Sequence, residues 1–296
     1  MILPGGKVHT IEIRSKISGS RDVRGIISST SQQIRFTNEE DQNGQQFLNE
    51  IGIKVNEHFV CLFVRDSGYK EKFQNWKSDW SYHNHRNTDM DTYKQAATKL
   101  AEKGYWIFRM GKSVEKQFNV DHPRILDYAN QSYRSDFLDI WLMGNCHFCI
   151  SVGRGLDAVS DVFRRKVVYV NFIPMPRHIS WSANISVPKK LVWQISNTPL
   201  SFEETFEHTY SNFYNYSKAG IEIIDLTPNE ISEGVLEMEA RISGKWKDTI
   251  EDSRLQNLYW GKLKKWSEYN KLHGLIHPEA RIGADFLRKN HSWFLN

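Results

Sequence analysis

Two arginines stand where an anion could be gripped. Arg65 follows the apolar run Phe59-Val-Cys-Leu-Phe-Val64, and Arg109 ends the run Tyr105-Trp-Ile-Phe-Arg109. A guanidinium matches phosphate with two parallel N–H donors, so a pair of arginines just past buried strands suits a diphosphate. Each could instead pair with a nearby acid at the sheet edge. Met110 and Gly111 follow the second arginine. A third run, His147-Phe-Cys-Ile-Ser151, leads into Val152-Gly153-Arg154-Gly155 and then a helical segment. Glycines there let backbone amides approach an anion, and a helix start adds partial positive charge. The turn lacks the third glycine of the dinucleotide fingerprint, which disfavours a nicotinamide cofactor.

Other polar groups cluster near these strand ends. Asp66 and His85 are candidate catalytic bases, unless the base is absent or supplied by another chain, and Tyr69, Arg86 and Asn87 are candidate binding residues of the polar loop between strand and helix. Arg134, Ser135, Asp136 and Asp139 open a helix before the third strand; acids are normal at a helix start, yet one could accept sugar or ribose hydroxyls. Tyr128 just before them could stack on a base or sugar ring. Asp89-Met-Asp91 has the spacing of a metal-holding acid pair, but it directly precedes a helix and capping explains it better.

The elements that position these residues alternate. Continuous apolar runs at 59–64, 105–109, 147–151 and 167–171 read as strands buried on both faces. Between them, 91–103, 134–144 and 156–163 show helical spacing, with Gly104 as a stop. Strand–helix alternation of this length implies βαβ units and a parallel sheet, hence a Rossmann-like α/β fold. Residues 1–57 are polar and irregular apart from a helix opening at Thr37 or Asn38, and are expected to be a linker or the remnant of a first domain. Residues 58–296 are the expected Rossmann-like domain, with helices toward its C-terminal end. Residues 172–213 read mainly as loops, with a short strand at 190–195 and another at 220–226. Thr227-Pro-Asn-Glu230 starts a helix, and two further helices are expected at 251–272 and 278–289.

The chain has 296 residues, 40% hydrophobic and 25% charged, with a formal charge of +4. That mild excess does not argue for a nucleic-acid partner and suits a small anion equally well. Three cysteines, all in apolar runs, read as free buried thiols of a reducing compartment rather than a disulfide framework or a zinc site. Met1-Ile-Leu-Pro-Gly-Gly does not look like a secretory leader, so a cytoplasmic location is expected.

The blocks Phe36-Thr-Asn-Glu-Glu, Val64-Arg-Asp-Ser-Gly-Tyr69, His85-Arg-Asn87, Gly104-Tyr-Trp-Ile-Phe-Arg-Met-Gly111, Asp127-Tyr-Ala129, Arg134-Ser-Asp-Phe-Leu-Asp139 and Phe286-Leu-Arg288 resemble, in order, a family of bacterial glycosyltransferases of surface-polysaccharide biosynthesis loci. More remotely, 135–159 is similar to the donor-site block of fucosyltransferases with two Rossmann domains, where an arginine after a strand binds the donor diphosphate. The serine-rich turn of those enzymes is replaced here by Gly153-Arg-Gly-Leu156.

The resemblance implies a C-terminal donor-binding half of the GT-B type, with no required metal or cofactor. It would move a sugar from a nucleotide-sugar donor to a glycan acceptor such as a capsule or O-antigen chain, near membrane-bound assembly machinery. A sugar- or partner-binding module descended from such an enzyme, without catalysis, is the alternative.

Overall fold

Alternation along the first strand decides how the layers assemble. In β1 (Phe59–Phe63), Val60 and Leu62 join one hydrophobic cluster while Phe59 and Cys61 join another. Successive side chains of a strand point to opposite faces, so a strand apolar at every position must be covered on both. The computed structural model describes residues 22, 25–66, 68, 85–153 and 155–296.

Seven strands make one parallel sheet: β1, β2 (Trp106–Arg109), β3 (Ile125–Leu126), β4 (Phe148–Ser151), β5 (Lys166–Phe172), β6 (Asn184–Pro188) and β9 (Ala280–Ile282). Their order is β3-β2-β1-β4-β5-β6-β9. The chain steps outward from β1 to β3, then returns to lay β4 on the other side of β1. The fold is therefore Rossmann-like α/β, as the alternation predicts. Connections leave β1 and β4 in opposite directions, and in open α/β sheets a crevice opens at such a switch point.

One face is covered by α1 (Asn38–Glu50), α3 (Asp136–Asn145) and α4 (Asp157–Val162). The opposite face carries α2 (Lys94–Glu102), α6 (Pro228–Ile242), α7 (Ile250–Lys264) and α8 (Ala284–Phe294). Both α1 and α6 begin with a full capping box, Thr37 with Glu40 and Thr227 with Glu230. No helix among the described residues is long and apolar enough to cross a membrane.

Within the N-terminal segment, α1 shares the core of the sheet: Phe47 and Leu48 pack in the cluster of Trp141 and Leu142. Trp141 donates its indole N–H to Asp41 at 3.0 Å. Gly44 lies beneath the same ring, and a Cβ there would sit 2.0 Å from Trp141 Cε2. Alanine would gain about 1 kcal/mol of helix propensity, but it would force apart two helices packed through a rigid indole. We expect Gly44→Ala to lose at least about 1 kcal/mol net. An unchanged urea midpoint would sink this account of the contact.

Two expected strands form, while other elements depart from the sequence expectations. The 190–195 and 220–226 segments become β7 (Lys190–Trp193) and β8 (Ile221–Ile224), which pair antiparallel in a separate ribbon beside α5 (Phe213–Lys218). β6 occupies part of the stretch read as loops. Its Asn184 donates to the Ile179 and Ser182 carbonyls, and Ser186 donates to Asn184, so buried polar side chains are satisfied locally. The 251–272 helix ends at Lys264, with a separate turn at Tyr269–Leu272. The start of the 278–289 segment is drawn into β9 by pairing with β6, and α8 follows it.

Candidate functional site

Four connections meet at the carboxyl end of β1, β2 and β4 and enclose a cleft of about 640 Å³. Residues 63–66 form the β1 side and 111–114 the β2 side. Asp136, Asp139 and Ile140 come from the first turns of α3, and residues 155–156 come from the turn after β4. This is the switch point of the sheet, reached from the order of the strands alone.

The two arginines have different fates. Arg65 lines the cleft and is half-buried, and it has no ion-pair partner among the described residues. Burial alone lowers the pKa of its guanidinium below the ordinary value, with no carboxylate pulling the other way. Arg109 is fully buried and does not line the cleft. It holds Asp66 Oδ2 at 3.3 Å and Asp127 Oδ1 at 3.2 Å. The expected diphosphate ligand is therefore an internal clamp, and pairing with acids is what the geometry shows for it.

That clamp removes Asp66 from service as a base. Its carboxylate accepts from Arg109, from the Gly68 amide at 3.1 Å and from the Glu115 amide at 3.0 Å. Its lone pairs are thus directed at fixed donors of the fold rather than into the cleft. His85, the other expected base, is buried against Tyr216 with ring centroids 5.9 Å apart, and it is not on the cleft wall. Arg86 and Asn87 are also outside the cleft lining, and the Asn87 carbonyl accepts from Lys189 at 2.9 Å. Tyr69 and Arg154 lie outside the described residues.

The β2 and α3 residues divide similarly. Met110 is core, and Gly111 lines the cleft with φ 152°. Tyr128 is fully buried among Phe47, Phe108 and Tyr133, so it is no stacking platform for a ligand. Its hydroxyl accepts from the Ser135 amide at 3.2 Å. Ser135 caps α3 by accepting from the Leu138 amide.

Arg134 bridges Asp136 and Asp139. Asp136 is exposed, and its pKa is lowered by Lys112 and Arg134. Asp139 is buried; its Oδ2 is held by Arg134, while Oδ1 has no hydrogen-bond partner among the described residues. Burial raises the Asp139 pKa against the pull of Arg134.

The glycine turn owes its composition to packing. Gly153 has φ 84°, and a Cβ there would meet the Phe172 ring at 2.8 Å; Gly155 has φ 150° and would meet Phe63 at 2.9 Å. The Gly153 amide donates to Ser151 Oγ at 3.1 Å, and Asp157 already places a buried carboxylate in the first turn of α4. Among the described residues 152, 153 and 155 of this turn, Gly155 reaches the cleft.

Two other expectations resolve as structure. Asp89 accepts from the Asp91 amide as a cap, and both acids bind Lys116. Cys61, Cys146 and Cys149 are free and fully buried. No family model, no curated protein and no solved structure matches the chain.

Sequence reasoning passed over Lys112, which lines the cleft beside Arg65. Its signal was position: it lies three residues beyond Arg109, at the end of the same strand. The assembled site offers a guanidinium without an ion-pair partner among the described residues, a lysine, three acids (Asp66, Asp136 and Asp139) and apolar surface from Phe63, Val64, Val114, Ile140 and Leu156. Such a cleft can hold a ring-bearing anion with hydroxyl groups.

Proposed function

We propose that this cleft binds a nucleotide-sugar and that the chain is the donor-binding part of a glycosyltransferase acting on a glycan, in bacterial polysaccharide biosynthesis. The observation that carries the reading is Arg65: a half-buried cation without an acid partner among the described residues, in the switch-point cleft of a Rossmann-like sheet. A partly desolvated guanidinium gains most from a ligand that brings its own negative charge. In transfer, the bond between the anomeric carbon and the diphosphate oxygen breaks, and charge collects on the diphosphate. A fixed cation at that oxygen lowers the barrier. The resemblance of the ordered sequence blocks to bacterial glycosyltransferases points the same way.

Calorimetric titration with UDP, GDP, CMP and TDP tests it. At least one should bind, and Arg65→Ala should weaken that binding about ten-fold or more, the loss of a charged hydrogen-bond pair worth about 1.5–3 kcal/mol. No heat with any of the four, or an Arg65→Ala protein that binds like the parent, would overturn the reading.

A second reading has its own support. Asp66 is saturated with donors and His85 stands off the cleft, so neither expected base is placed for proton transfer. That favours a sugar- or partner-binding module without catalysis. Donor binding with no release of free nucleotide in the presence of glycan acceptors would favour this reading over transfer.

A further inference from the structure

We infer that Lys112 is a second anion-binding group of the cleft, held in reserve by Asp136 and released to the ligand by exchange of counter-ions. The inference rests on the donor-binding reading and adds to it a mechanism by which the cleft admits a multiply charged anion.

Lys112 and Arg65 line the same cleft from adjacent strands, β2 and β1. Lys112 Nζ reaches across the opening to Asp136 Oδ2 at 2.8 Å, and the side chains are 40% and 71% exposed. An ion pair that exposed is screened by solvent and contributes little, so breaking it costs little. Asp136 would not be stranded, because Arg134 Nη2 already holds its other oxygen at 2.8 Å. The lysine swings on a flexible four-carbon stem, from a loop that begins at Gly111 with φ 152°.

A diphosphate carries more charge than one carboxylate and would sit between the two cations. Lys112 therefore trades a single-charge partner for a stronger one, while Asp136 relaxes onto Arg134. The resting pair keeps Lys112 engaged and disfavours weakly charged anions that cannot displace Asp136. Selectivity for diphosphate over monophosphate follows from this competition.

The test is the affinity of UDP, GDP and inorganic pyrophosphate for four proteins: the parent, Lys112→Ala, Asp136→Asn and the double variant. Lys112→Ala should weaken binding about three- to ten-fold, as expected for a partly exposed charge contact. Asp136→Asn should leave affinity unchanged or tighten it two- to three-fold, since this carboxylate no longer competes with the ligand for the lysine. In the Lys112→Ala background, Asp136→Asn should lose that effect, the coupling a double-mutant cycle isolates.

Both side chains are on the surface, and equal thermal midpoints would confirm that all four proteins fold. Asp136→Asn weakening binding as much as Lys112→Ala would show the pair to be a structural brace and overturn the inference. So would Lys112→Ala binding like the parent while Arg65→Ala does not. A parent that binds none of the probes overturns the donor-binding reading itself, and the inference falls with it.

Discussion

Replacing Arg109 with alanine should cost the fold about 3–5 kcal/mol, the range for removing one partner of a buried ion pair. The guanidinium is wholly inaccessible, and the two carboxylates it holds, Asp66 and Asp127, are only 16% and 14% exposed. Each acid also organises a loop. Asp66 accepts from the Gly68 and Glu115 amides, and Asp127 accepts from the Phe118 amide and from Asn130. Removing the cation leaves two like charges with little water near them, at the point where three connections converge.

Urea unfolding measures the loss, and a control separates charge from shape. Arg109→Met combined with Asp66→Asn and Asp127→Asn should recover much of it, because no ion is then left unpaired. Arg65→Ala is the opposite case: it should alter stability little while weakening ligand binding. An Arg109→Ala protein within about 1 kcal/mol of the parent would show that the clamp is not what holds these loops.

That contrast marks the limit of what the sequence makes legible. Arg65 and Arg109 look alike in the chain, each at the end of an apolar run. What separates them is Asp127, eighteen positions beyond Arg109, which only the pairing of β2 with β3 brings alongside. The strands themselves were readable because 59–63, 106–109, 148–151 and 166–172 are almost wholly apolar and buried on both faces. β3 has two residues, too few for any periodicity, and β6 carries Asn184, Ser186 and Pro188. Such segments become strands because the sheet edge supplies partners, a tertiary effect that overrides local preference.

The site shows the same division. That polar residues gather at one sheet edge follows from strand order, and Arg65, Asp136, Asp139 and Gly155 all reach the cleft. Which polar groups are already consumed does not follow. Tyr128 is pulled into the core by Phe47 of α1, a contact with a segment expected to lie outside the domain. Lys112 is unremarkable in sequence because its meaning depends on Asp136, which α3 presents from across the opening.

A second large effect should appear on acidification, at a histidine far from this cleft in role. His178 is buried against Tyr259 of α7 and His273. Its Nδ1 lies 3.2 Å from the Met175 carbonyl and 3.0 Å from the Tyr259 hydroxyl, while Nε2 has no hydrogen-bond partner among the described residues. Donation from Nδ1 to Met175 leaves a lone pair on Nε2. Protonation would instead bury an N–H without an acceptor, close to a second imidazole.

Burial, and then His273, accordingly hold the His178 pKa well below its ordinary value of 6.5. The folded chain keeps this ring neutral where the unfolded chain binds a proton. Its contribution to stability is therefore complete above pH 6.5 and is lost as pH falls below it, at up to about 1.4 kcal/mol per unit. The loss grows with each further step of acidification until the folded ring itself takes up a proton. Asparagine places an amide near Nδ1 and cannot titrate, so His178→Asn should lie below the parent at pH 7.5 and close on it as the pH drops. Unfolding free energies that run parallel for the two proteins from pH 7.5 to 4.5 would show that His178 binds its proton as readily inside the fold as outside it.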